Sequence, residues 1–216
     1  MSIYEAMGEE RARQGPVIGV VIGIVTNNQD PDGLGRVKVK FPWRGAADES
    51  YWARIATLMA GDQRGTYFLP EVGDELLVAF EAGDVGHPYV LGALWNGQEK
   101  PPESNSNGNN DIRKIKSRSG HEIVLNDEQS KESVLIKTKA GHAITLDDSS
   151  GAEKIEIKDK TGANSITIDS AQNAISIQCS MQLNIRANVV QIEADSTMTL
   201  KAGATLTFQG GMIQIN

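Results

Sequence analysis

The side chains with chemical potential in this sequence are three histidines, one cysteine and several acidic turns. His121 and His142 hold the same place in successive repeats, SGHEIVLND and AGHAITLDD. A general base or a metal site needs such groups to converge on one point. A period-related pair on a stacked structure lies at different heights instead. These histidines therefore read as turn-capping or surface residues. In an oligomer, three copies of one of them could alternatively ring an axis and hold an ion. His87 stands in GDVGHPYVLG, whose glycines lack the strand–loop–helix setting of a phosphate cradle. DPDG (30–33) and DDSSG (147–151) hint at calcium loops. Neither has the alternating ligands and terminal Glu of an EF-hand, so turn chemistry is the better reading. Cys179 follows Ile177 in a repeat strand and reads as a packed or surface thiol. The expectation is no catalytic centre, no metal site and no cofactor.

Composition points the same way. Net charge is −7, from 21 Lys and Arg against 28 Asp and Glu, and the sequence pI is about 5.0. Binders of the phosphate backbone draw affinity from clustered cations, which this balance disfavours. Lys137, Lys139, Lys158 and Lys160 are interleaved with acidic residues and read as a mixed solvated face. Phe41, Trp43, Tyr51, Trp52, Tyr67 and Phe68 could stack bases, but core and interface packing is the favoured role. One cysteine excludes an intrachain disulfide. The N-terminus MSIYEAMGEERARQG has no apolar signal core, and no run reaches the length of a membrane span. The expectation is synthesis in the cytoplasm without a signal peptide.

The elements that must position these residues are strands. Residues 1–15 read as a polar arm, either a frayed terminus or a docking arm for a neighbour. From 16 to 97 the pattern is strand and turn: VIGVVIGIVTNN, QDPDGLG, RVKVKFPW, YWARIATLMA, TYFLP, EVGDELLVAFEAGD and HPYVLGALWNG. YWARIATLMA suits either strand or helix, and its alternation favours strand. Five or six short strands with Gly, Asp and Pro turns predict a small closed antiparallel barrel. QEKPPESNSNGNND (98–111) has the composition of a linker.

Residues 112–216 repeat. Gly120, Gly141 and Gly162 are evenly spaced, and VLIKTK and IEIKDK occupy equivalent places. After residue 170 the period shortens to seven or eight. Apolar pairs then recur around one polar residue: Ile175/Ile177, Leu183/Ile185, Val190/Ile192, Met198/Leu200, Leu206/Phe208 and Ile213/Ile215. In a strand both members of a pair point one way and the residue between them points the other. Two inward residues per short strand give a single chain little core. Three intertwined chains solve this, with the first five pairs as the trimer core of a needle. A single-chain β-solenoid is the alternative. About a dozen strands stacked roughly 4.8 Å apart would make a rod on the order of 60 Å long.

GIVTNNQDPDGLGRVKVKFPW, then ESYWARIATLMAGDQRGTYFLPEVGDELLVAFEAGDVGHPYVLGALWNG, closely resembles the oligonucleotide/oligosaccharide-binding (OB) fold domain of contractile-injection spikes. These comprise the valine-glycine repeat (VgrG) proteins of type VI secretion and the phage baseplate assembly protein V family. NNDIRKIKSRSGHEIVLND and EKIEIKDKTGANSITID also resemble VgrG repeats, so the likeness runs over about 17–216. It implies an all-β chain: a small OB-fold barrel followed by an intertwined trimeric β-helix. It implies a homotrimeric spike, seated on a tail hub and ejected when a sheath contracts, with transient contact to a target membrane. The VgrG hub domain is absent from this sequence, which implies a separate hub protein. No histidine follows His142, so the His-x-His iron tip of short phage spikes has no counterpart. The end FQGGMIQIN is apolar, which implies a PAAR-repeat tip protein bound at Met212, Ile213 and Ile215. A single-stranded nucleic-acid-binding barrel with a repeat tail and a carbohydrate-active β-helix enzyme are the competing expectations.

Overall fold

A computed structural model describes residues 16–45 and 48–215 of the chain, and the arm expected over 1–15 lies outside the described residues. The chain divides into two units, one ending at Ser106 and the other beginning at Asn107. Apart from a single 3-10 turn at Glu81–Gly83, the regular structure of the described residues is β.

The first unit holds β1 (Val20–Asn27), β2 (Lys38–Lys40), β3 (Arg54–Ile55), β4 (Ala60–Gly61), β5 (Arg64–Gly65), β6 (Glu75–Phe80) and β7 (Pro88–Ala93). Five of these form one sheet in the order β2-β1-β6-β7-β3. Alternation decides what it buries. In β6, ELLVAF, the side chains of Leu76, Val78 and Phe80 go inward. Val25, Val37, Val39, Phe41, Ala53 and Val90 meet them. The sheet curls, and the antiparallel bridges Val37–Ala53 and Lys40–Glu49 tie its β2 side to the segment leading into β3. β1 crosses the core at Gly23. A Cβ there would lie 3.3 Å from both Val39 Cβ and Val78 Cγ2, so glycine lets the strand pass close to its neighbours.

Two details depart from the sequence reading. The sheet is not wholly antiparallel, because β3 pairs with β7 in parallel. TYFLP forms no strand. The chain there leaves the β4–β5 hairpin, and Tyr67 and Phe68 face solvent.

The second unit is a seven-stranded antiparallel meander: β8 (Ile112–Lys116), β9 (Glu122–Asn126), β10 (Ser133–Lys137), β11 (Ala143–Asp147), β12 (Lys154–Lys158), β13 (Ser165–Asp169) and β14 (Ala174–Gln178). Each strand has five residues and pairs in full register with the next. The evenly spaced glycines explain the hairpins on one edge: Gly120, Gly141 and Gly162 all have positive φ, which L-residues resist. Residues 179–215 form no strand ladder within the chain.

Candidate functional site

Full register puts directly opposed residues on one face of a sheet. On one face of the meander, Ile115, Ile123, Ile136, Ile144, Ile157, Ile166 and Ile177 make one continuous column. Leu125, Val134, Leu146, Ile155, Ile168 and Ile175 make a second, with Arg113 at its start. Arg113 pairs with Asp127. The opposite face carries Lys114, Val124, Leu135, Thr145, Glu156, Thr167 and Ser176 between the strand ends. Among the described residues the aliphatic face stays partly open: Ile144, in the middle strand, keeps 39% of its surface exposed. Contiguous apolar faces of this kind mark interaction sites.

Of the predicted needle-core residues, Ile175 and Ile177 stand on this face, opposite Ile168 and Ile166. Leu183, Ile185, Val190, Ile192, Met198, Leu200, Leu206 and Phe208 follow on the segment without strands. Within the chain all ten are exposed, from 48% (Met198) to 72% (Ile175). Met212, Ile213 and Ile215 are exposed near the end of that segment. The aliphatic columns from Ile115 to Ile168 were missing from the sequence-based core set. Their signal was the same alternation, spread over 21-residue repeats whose long turns hid it.

The turns are stapled to one another. His121 Nδ1 accepts a hydrogen bond from the Lys139 N–H at 3.3 Å, and His142 Nδ1 accepts one from the Lys160 N–H at 3.3 Å. Asn164 continues the series, its Oδ1 accepting from the Ser180 N–H at 3.1 Å. The histidines thus link successive hairpin turns along one edge. The lysines expected to form a mixed face gather on that same edge, with Lys137 and Lys139 beside one turn and Lys158 and Lys160 beside the next. Repeat spacing carried this segregation, and a linear count of neighbouring charges conceals it.

The other chemical candidates are occupied in local roles. The Asp30 carboxylate accepts from the N–H groups of Asp32, Leu34 and Arg36, and from Arg36 Nε at 2.8 Å and Nη2 at 2.7 Å. The Arg36 guanidinium holds the Asp30 carboxyl far below the usual carboxylate range. Arg36 also lies 5.9 Å from the Trp52 ring centroid, with Lys38 at 5.4 Å. DPDG is therefore a turn organiser. Asp147 of DDSSG accepts from the Ser149 N–H at 3.0 Å. His87 Nδ1 lies 2.9 Å from Asp84 Oδ2. Cys179 is exposed. Among the described residues, no three His, Cys, Asp or Glu side chains group as a metal site. Phe41 is a core residue whose ring lies tilted, with centroids 5.4 Å from Phe80 and 5.6 Å from Trp43. Tyr51, Tyr67 and Phe68 are exposed within the chain and do not join its core. No helix among the described residues is long and apolar enough to cross a membrane.

A curled five-stranded sheet, with an aliphatic repeat sheet after it in the chain, defines an all-β protein with an OB-type domain. Residues 21–95 match the type VI secretion system/phage-baseplate injector OB domain. The spike protein VgrG3 of Vibrio cholerae is 37% identical over 92 residues, 41% of this chain and 9% of that protein. Its relative named actin cross-linking toxin VgrG1, also from Vibrio cholerae, is 35% identical over 92 residues, 41% of this chain and 8% of that protein. The spike protein VgrG1c of Pseudomonas aeruginosa is 30% identical over 134 residues, 57% of this chain and 18% of that protein. The chain spans less than a fifth of the length of these relatives. Residues 21–95 are thus an injector OB domain, and the chain is similar to VgrG spike proteins over part of its length.

Proposed function

We propose that this chain is one subunit of a homotrimeric, non-catalytic central spike of a contractile injection system. One observation carries the reading: a chain with an injector OB domain also bears a seven-strand aliphatic face that stays partly exposed among the described residues. Three such faces turned toward a common axis bury one another, as repeat sheets of this kind require. Residues 179–215 continue that axis. Their backbone has no ladder within the chain, and pairing between chains gives each N–H and C=O a partner. The pairs from Ile175/Ile177 to Leu206/Phe208 then form the needle core.

In this reading residues 98–111 link the two units, and a separate hub protein meets the OB domain. Met212, Ile213 and Ile215 form an apolar end that a PAAR-repeat tip protein covers. The spike is made in the bacterial cytoplasm, assembled into a baseplate and driven through a target envelope. Its work is mechanical, since inter-chain ladders give stiffness and slow unfolding.

The test is the mass of the purified protein by light scattering, together with its migration in SDS before and after boiling. A trimer that survives SDS until heated is the expected result. A monomer would overturn the reading. Salt-sensitive binding of a single-stranded oligonucleotide would favour the competing nucleic-acid reading.

A further inference from the structure

The two long edges of the repeat sheet carry opposite charge. One edge consists of the turns and strand ends at 116–122, 137–143 and 158–165. It carries Lys116, Arg118, Lys137, Lys139, Lys158 and Lys160, with only Glu122 and Asp159 against them. The other edge consists of 126–133, 147–154 and 169–174. It carries seven carboxylates, with only Lys131 and Lys154 against them. Part of the minority charge is already matched locally: Glu122 takes Lys116 at 2.9 Å, and Lys131 takes Glu128 at 2.6 Å. One edge stays net basic and the other net acidic.

We infer that, in the trimer proposed above, the basic edge of one copy's repeat sheet meets the acidic edge of the next. This rests on the trimeric reading and adds edge pairing to it. Around a three-fold axis each sheet presents one edge to one neighbour and the other edge to the second, a head-to-tail contact that closes. If one copy were turned end over end, like edges would meet and repel.

Geometry favours the same mating. Strands lie about 4.8 Å apart, and an edge has a turn at every second gap, so turns on one edge recur about every 10 Å. Basic turns close β8–β9, β10–β11 and β12–β13, whereas acidic turns close β9–β10, β11–β12 and β13–β14. At equal height, each basic turn of one copy enters the gap between two acidic turns of its neighbour. The corners of the rod become charge zippers whose spacing is close to the screening length at physiological salt, about 8 Å.

Cross-linking and charge reversal together test this. In a Cys179→Ser background, Lys139→Cys plus Asp148→Cys in one chain should oxidise to covalently closed trimers. Either substitution alone should leave chains uncross-linked. Lys137→Glu with Lys139→Glu should abolish the SDS-resistant trimer band, as should Asp147→Lys with Asp148→Lys. All four together should restore it. Dimers from a single cysteine would show like edges in contact and overturn the inference. So would a native trimer in which the cysteine pair fails to cross-link and the reversals change nothing, an outcome that leaves the trimer standing. A native protein that is monomeric by light scattering removes both.

Discussion

Ile144→Asp places a carboxylate at the middle of the aliphatic face. Ile144 sits in β11 between Ile136 and Ile157 and is 39% exposed within the chain. Full burial of an isoleucine side chain is worth about 1.5–3 kcal/mol, so covering what remains contributes about 1 kcal/mol per copy. The larger effect is the charge. A carboxylate sealed away from water without a partner costs several kcal/mol, and a three-fold axis repeats that cost three times at one level. The loss is therefore on the order of 10 kcal/mol per trimer, about seven powers of ten in the association constant. In a separate chain the same change alters a half-wet site and costs about 1 kcal/mol. Acid should reverse the effect. Desolvation and two like charges raise the pKa of the introduced carboxyl in the assembled state. The assembled state then binds more protons than the separated one, so association strengthens as pH falls and weakens as it rises through the raised pKa. The assay is light scattering and the SDS-resistant band at neutral pH and near pH 4. Thr145→Asp, on the opposite face, serves as control and should stay trimeric at both. An Ile144→Asp protein that is trimeric and equally heat-resistant at neutral pH would refute the placement of this face in the assembly.

Leu76→Ala removes a fully buried side chain from the OB core and should cost about 3 kcal/mol, read by urea unfolding of the OB unit. Gly65→Ala should open the β4–β5 hairpin, because a Cβ at that positive φ would collide with the Met59 carbonyl oxygen. Faster amide exchange at Thr66, whose N–H donates to that oxygen, would show it. The Thr161 hydroxyl and then the Asn164 amide lower the Asp159 carboxyl to about 2. Its folded-state pKa is depressed, so its stabilisation is present above the ordinary value of 3.8 and is lost as pH falls toward 2. Asp159→Asn should remove that component, and melting temperature against pH between 4 and 2 should fall less steeply than in the unaltered protein.

How legible each unit was depended on where its partners lie. The OB unit buries Leu76, Val78, Val39 and Val25 against one another, so its alternation and turn residues showed strands that one chain could close. The parallel β3–β7 pair escaped because Arg54–Ile55 is two residues long, and its partner is set by how the sheet curls. Tyr67 and Phe68 look like strand residues by propensity. The short ladder of β4 with β5 ends just before them, so tertiary context overrides that preference.

In the repeat unit, periodicity shows which side of each strand is apolar, and the aliphatic face of β14, with Ile175 and Ile177, was readable on that basis. The set stopped short at the N-terminal side because repeats of about 21 residues place Ile123, Ile144 and Ile166 far apart in sequence. Only the register Ile123–Ile136–Ile144–Ile157–Ile166 reveals them as one column. The charges were hidden in the same way. Lys139 and Asp148 are nine positions apart in the chain but lie on opposite edges of the sheet, and a hairpin meander sends alternate turns to alternate sides. A charge count along the sequence averages the two edges toward neutrality. The fold separates them, and that separation gives an aliphatic face without direction a preferred way to mate: hydrophobic burial favours any cover, whereas paired opposite edges favour a parallel copy.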